Sequence, residues 1–247
     1  MIRIILGKVG SGKTAKIVKE LVLNKTHRHY FSNIKTKGIS YNHLINSKMI
    51  IKKVWEDEEG NILKKPKLKL NTKFWKDTKK KYGAISVIID EAHMVLNARK
   101  SMSSINHVLT DFLALVRRVV GEDSAGYGEL VLISQNERQL DVLAKEGATS
   151  VHYHVCHFQK ECSKCGYTWN ENNETFEPLW ECPKCNGYKI QKFNHIIEVW
   201  HFKNIEAYNG WKVWGERSYH RHYYIKDIEK YFKNYSTLQW DNLISDY

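Results

Sequence analysis

Eight residues near the amino terminus, Gly7-Lys8-Val9-Gly10-Ser11-Gly12-Lys13-Thr14, follow the spacing G-x-x-x-x-G-K-[ST]. Gly7, Gly10 and Gly12 carry no Cβ, so the backbone N–H groups of this stretch, with that of Ser11, can curl inward around an anion. The apolar run Ile2 to Leu6 before it predicts a strand, and Ala15, Ile17, Val18, Leu21 and Val22 after it recur at helical spacing. A helix starting there aims its positive end at the same anion. The chemistry this serves is binding of a nucleoside triphosphate, with Lys13 on the β- and γ-phosphates of ATP and Thr14 on Mg2+. A glycine-rich turn with no ligand is the competing reading, and the strand and helix around the motif weigh against it.

A second apolar run, Val87-Ile88-Ile89, ends on two adjacent carboxylates, Asp90 and Glu91. The carboxyl ends of parallel strands are where such sheets hold ligands. Asp90 is expected in the Mg2+ shell and Glu91 on the attacking water, two tasks that need differently directed acids. Glu91 also suits the first turn of a helix as a complement to its dipole, and His93 reads as a polar residue near a helix start. Ser134-Gln135 closes the run Leu130 to Ile133, which would set the Gln135 amide beside the γ-phosphate; a plain polar strand end fits it equally. Arg99, Arg117, Arg118 and Arg138 are candidates for a cation on the transferring phosphoryl group, from this chain or a neighbouring subunit. Arg117 and Arg118 fall in the last turn of an expected helix, where cations also oppose the dipole.

Four of the five cysteines form two knuckles, Cys162-Ser163-Lys164-Cys165 and Cys182-Pro183-Lys184-Cys185, each followed by a turn former. Four thiolates so spaced fit a closed tetrahedral Zn2+ site with a structural role, replacing the core that so short a segment cannot build. A redox pair or free thiols would compete, but no thioredoxin-like βαβ pattern surrounds them. Cys156 reads as a small apolar core residue.

The elements that must position these groups alternate. Strand-like apolar runs and amphipathic helices give an α/β class, with Leu109, Phe112, Leu113, Val116 and Val120 on one face of a helix expected to continue through Val120 and break at Gly121. Residues 50–70 predict a surface hairpin about Glu59-Gly60-Asn61, and Lys226 to Lys233 a further helix. The expected organisation is a core of residues 1–157 continuing in 194–247, with residues 158–193 as a zinc-ribbon insertion. The 247 residues carry 42% hydrophobic and 27% charged residues, which excludes a disordered or low-complexity chain. No apolar run approaches a membrane span or a secretory leader, so a cytoplasmic protein is expected, in a host's cytoplasm if the source is viral. A net charge of +12 suits a polyanion, above all nucleic acid.

The order of these motifs resembles the Zot-like branch of the FtsK–HerA superfamily, which includes filamentous-phage assembly ATPases and viral genome-packaging ATPases. The resemblance covers roughly residues 1–155. It is carried by Gly7 to Thr14, Phe31-Ser32-Asn33-Ile34, Ile89 to His93 with Arg99 downstream, and Leu132 to Gln135 followed by Gln139-Leu140-Asp141. It implies a RecA-like P-loop ATPase sheet, a homo-oligomeric ring moving double-stranded DNA, and a capsid or other assembly protein as partner. Gln135 matches the polar sensor position, and Arg117 or Arg118 resembles the basic pair before that strand. The chain departs from the phage members in having a zinc ribbon where they have a membrane segment, so a packaging or DNA-handling motor without a membrane span is expected. Two other functions share these motifs: a thymidine kinase of the zinc-ribbon type, and an ATP-binding DNA or assembly factor that does not hydrolyse.

Overall fold

The structure, a computed structural model, describes residues 1–95, 104–123, 126–175 and 177–236. Its centre is a mixed sheet. Five strands run parallel through its middle: β10 (Ala148–Cys162), β1 (Ile2–Leu6), β9 (Glu129–Ser134), β6 (Ile85–Ile89) and β2 (His29–Ser32), with the short parallel β3 (Asn42–Leu44) at the edge. On the other side, β12 (Ile190–Phe202) and β13 (Arg221–Ile225) add antiparallel, and β11 (Thr168–Asn172) pairs with the far half of β10. This is the RecA-like arrangement, with β9 lying between the strand that leads to the glycine loop and the strand that ends on the acid pair.

The uniformly apolar strands are buried on both faces, as parallel sheets require. Alternate residues serve opposite layers: Leu130 and Leu132 join Ile4, Phe112 and Trp75 on one side, while Val131 and Ile133 join Ile5, Ile17, Val18 and Leu21 on the other. The second layer is closed by α1 (Lys13–Leu23), whose buried residues include four of the five apolar positions read from the sequence; Val22 is on the exposed side. The first layer receives α3 (Thr72–Tyr82), α5 (Ser104–Ala114) and α6 (Val116–Val120). The single helix expected through Val120 is therefore two, parted at Leu115. Val116, Val119 and Val120 are β-branched and hold a helix poorly, and the break lets all three stay buried.

Between β3 and α3, α2 (Ser47–Ile50) leads into a hairpin of β4 (Ile51–Glu56) and β5 (Ile62–Leu70) that, among the described residues, forms a two-stranded sheet of its own. Its turn is drawn in by Asp57 Oδ1, which accepts from the backbone N–H groups of Glu59 and Asn61. The remaining short elements are α4 (Ala92–Val95), the ribbon of β7 (Glu122–Asp123) and β8 (Gly126–Tyr127), α7 (Val142–Glu146) and α8 (Ile205–Trp214). The helix expected at Lys226 to Lys233 is a 3-10 segment, Ile228–Asn234. Three residues per turn set Ile228 and Tyr231 on one side, where both are buried with the residues of α1. Among the described residues no helix is long and apolar enough to cross a membrane.

Candidate functional site

Leu6, the last residue of β1, pairs with Ser134 on one side and Tyr153 on the other, so the glycine loop leaves the sheet at the carboxyl ends of its strands. Gly10 and Gly12 turn through φ 76 and 79, in the left-handed region where side chains are strained. A Cβ at Gly12 would overlap Ile197 Cδ1, and one at Gly7 would lie 2.5 Å from the carbonyl oxygen of His154. The loop is therefore closed against β10 and β12, and its curvature needs these glycines. Lys13 Nζ is folded into the loop it follows, donating to the carbonyls of Gly7 at 2.7 Å and Lys8 at 3.0 Å and to Ser11 Oγ at 3.4 Å. Burial lowers its pKa, opposed by the carboxylates of Glu91, Asp90 and Glu174.

The acid pair stands opposite the loop. Thr14 Oγ1 donates to Asp90 Oδ2 at 2.7 Å, which sets a hydroxyl and a carboxylate side by side as a shared divalent cation requires. Burial raises the Asp90 pKa against the hydrogen bond from Thr14. Asn33, just beyond β2, clamps the same residue by its backbone: its Nδ2 donates to Asp90 O at 2.9 Å and its Oδ1 accepts from Asp90 N–H at 2.7 Å. Glu91 stands at φ 51, rare for a non-glycine residue, with its carboxylate turned toward β9. There Gln135 Nε2 donates to Oε1 at 3.3 Å and Oε2 at 3.4 Å, and His93 Nδ1 lies 3.4 Å from Oε2. Gln135 thus bridges toward Glu91 from the strand between the loop and the acids.

The arginines part company. Arg138 follows Gln135 and is 86% exposed at the loop end of the sheet, with Glu137 at 3.9 Å. Arg118 is exposed on α6, which ends where Val120 and the start of β6 pack around Gly128, the opposite end of the strands. From there it cannot join the site of its own chain. Arg99 and the side chain of Arg117 lie outside the described residues.

Past the site, β10 and β12 continue together until Cys162 pairs with Ile190. The knuckles close at their tips: Gly166 N–H donates to Cys162 O, and Asn186 N–H to Cys182 O, both at 2.8 Å. Gly166 and Asn186 take φ 67 and 52 to make these turns. All four thiol sulfurs lie within 4.8 Å of one another, with 3.6 Å for Cys162 to Cys185 and for Cys165 to Cys182. A tetrahedral Zn2+ with Zn–S of about 2.3 Å needs sulfurs roughly 3.8 Å apart. The cluster fits such an ion, and Gly187 leaves room beside two of the sulfurs, where a Cβ would lie 3.3 Å from Cys185 Sγ.

With the loop, the acids and the intervening polar residue assembled from three neighbouring strand ends, similarity decides the family. The sequence matches the family described as zonular occludens toxin (Zot) over residues 1–174, well over half of the chain. The chain belongs to the Zot family. Among solved structures, the N-terminal domain of zonular occludens toxin from Neisseria meningitidis is similar at 18% identity, covering 95% of this chain and 98% of that one, with a TM-score of 0.47. The genome packaging NTPase B204 of Sulfolobus turreted icosahedral virus 2, in complex with ATP-gammaS, is similar at 21% identity over 62% of this chain and 74% of that one, TM-score 0.37. A KaiC-like protein from Pyrococcus horikoshii is similar at 10% identity over 78% and 84%, TM-score 0.36. No curated protein matches. The Zot match includes the first cysteine knuckle and ends before the second.

Three residues of this Zot-family site had no role assigned from sequence. Asn33 is a polar residue directly after a buried strand, a signal open to reading. His93 gave a weaker one. Glu174 gave none: it reaches the loop from the four-cysteine module, with Oε2 3.0 Å from Lys8 Nζ and Oε1 accepting from Tyr153 O–H at 2.9 Å.

Proposed function

We propose that this chain is an Mg2+-dependent ATPase that moves or packages viral or mobile-element double-stranded DNA, in the manner of FtsK–HerA motors and as a homo-oligomeric ring. One observation carries the catalytic part: the glycine loop with Lys13, the Thr14–Asp90 pair and the Glu91–Gln135 pair converge from adjacent strand ends. In this reading the N–H groups of the loop from Gly7 through Gly10, Ser11 and Gly12, with Lys13, hold the phosphates. Thr14 and Asp90 would hold Mg2+, which supplies neutralising charge to the phosphate oxygens when bound. Glu91 orients a water and takes up its proton as the oxygen attacks the γ-phosphorus in line, while ADP leaves with the electrons of the broken P–O bond. Gln135 steers Glu91 and reports the γ-phosphate. A cation completing the site comes from a neighbouring subunit, from Arg138 at the loop end or from Arg117 or Arg118 at the far end. Residues 158–193 act as a zinc-ribbon module on a core of 1–157 and 194–247, and the site of action is the cytoplasm.

The lysines of the hairpin and of α3 support a polyanionic partner: Lys52 and Lys69 stand directly opposite each other across β4 and β5, a like-charge pair that the exposed Glu58, 3.9 Å from Lys69 Nζ, offsets weakly. A capsid or other assembly protein is the further partner proposed. Steady-state ATP hydrolysis by wild type and Glu91→Gln, with and without double-stranded DNA and with thymidine, tests the whole. The expected outcome is DNA-stimulated turnover that weakens steeply with salt and drops by about a hundredfold or more in the variant, with ATP binding retained. ATP consumption that requires thymidine, or binding with no turnover, overturns it in favour of a nucleoside kinase or a non-hydrolysing assembly factor.

A further inference from the structure

The turn that follows β11 in the four-cysteine module lies against the glycine loop and is tied down at three points. Asn173 N–H donates to Cys156 O at 3.0 Å, and Cys156 N–H donates to Asn173 Oδ1 at 2.7 Å, so the turn is fastened to the backbone of β10 by both the backbone and the side chain of Asn173. Within the turn, Asn172 Oδ1 accepts from Glu174 N–H at 2.8 Å. This aims the Glu174 carboxylate at two partners, the hydroxyl of Tyr153 and the ammonium of Lys8, the second residue of the loop. Glu174 also acts on the loop's other lysine, since its charge favours the protonated form of Lys13.

A carboxylate in this place resembles a phosphate in charge and in what it accepts. We propose that Glu174 is a built-in counter-anion of the loop, which holds Lys8 while no nucleotide is bound and gives it up to the triphosphate, so that the four-cysteine module senses nucleotide through the release of its own turn. This rests on the reading of the loop as an ATP site. The physics is competition: a polyphosphate draws Lys8 toward itself and repels Glu174, and the turn loses one of its fastenings. Lys8 is 58% and Glu174 28% exposed at the side chain, so the ion pair is screened and the effect on affinity is modest.

The test uses the full-length chain with its cysteine module loaded with zinc. ATP affinity is measured by calorimetry for wild type, Glu174→Gln, Lys8→Met and the double variant, and amide hydrogen exchange is followed at Asn173 and Glu174 with and without ATP. Glu174→Gln is expected to bind ATP about two- to fivefold more tightly, and that gain should vanish when Lys8 is already Met. Exchange at Asn173 should rise when ATP is added to wild type, and also in Lys8→Met without ATP. A merely structural Glu174 would give the opposite sign, weaker binding in Glu174→Gln. Wild-type ATP binding with neither affinity nor exchange changed by Glu174→Gln would overturn the counter-anion while leaving the ATP site standing. Absence of ATP binding by wild type would overturn both, even if Lys8→Met still loosened the turn.

Discussion

Glu91 stands in a backbone conformation that a non-glycine residue keeps only when its surroundings over-determine it. Asn33 supplies much of that surrounding order by holding both backbone groups of the preceding Asp90. Replacing Asn33 with Ala leaves two partly buried backbone groups without partners, and a loss of about 1–3 kcal/mol in unfolding free energy is expected. On the proposed ATPase reading, Mg-ATP should stabilise the wild type in a thermal melt, and that increment should shrink in Asn33→Ala because the same clamp fixes the carboxylate beside Thr14; a purely structural loss would leave the increment intact. Gly12 offers a second check at this scale. Its φ of 79 and the overlap of any Cβ with Ile197 mean that Gly12→Ala should lower stability by roughly 1–3 kcal/mol and weaken ATP binding together, in denaturant unfolding and calorimetry.

At the scale of elements, β10 and β12 are each one strand with two duties. One half of each completes the central sheet and walls the glycine loop; the other half carries the knuckles. The junction is stiffened by Lys160, which donates to Leu179 O at 2.6 Å and pairs with Glu171 at 2.8 Å, both side chains buried. Each chain is expected to bind one zinc ion. Cys182→Ser should abolish that stoichiometry in metal analysis and raise hydrogen exchange across residues 163–189, while β1 and β9 stay protected, because their apolar layers do not depend on the ion.

For the molecule as a whole, the layer between α1 and the sheet contains more than apolar side chains. His152 and His154 are buried there, and burial with the positive Lys16 beside them holds both pKa values far below the ordinary 6.5. Among the described residues, neither nitrogen of His154 has a hydrogen-bond partner. A histidine neutral in the folded state but protonated when unfolded favours unfolding once the pH falls below its unfolded pKa. Stability should therefore hold above about pH 6.5 and decline below it, by up to roughly 1.4 kcal/mol per pH unit for each group. Thermal unfolding between pH 7.5 and 5 checks this, and His154→Leu should make the decline shallower; an unchanged slope would place the acid sensitivity elsewhere.

The sequence by itself determined the glycine loop, the acid pair, the two knuckles, the hairpin and the buried strands, because each is a local pattern: a run of neighbours whose spacing suits one ligand or one face. It also placed Gln135 at a strand end, but not what that strand lies between. Strand order, with β9 set between β1 and β6, came only with the tertiary structure, and it is what turns Gln135 toward Glu91. The clamp of Asn33 on Asp90 and the reach of Glu174 to Lys8 join residues far apart in the chain, and the placement of Arg118 at the far end of the sheet depends on which way its helix packs. Such pairings are settled by how layers stack around the buried sheet, a global property that no short stretch of sequence encodes.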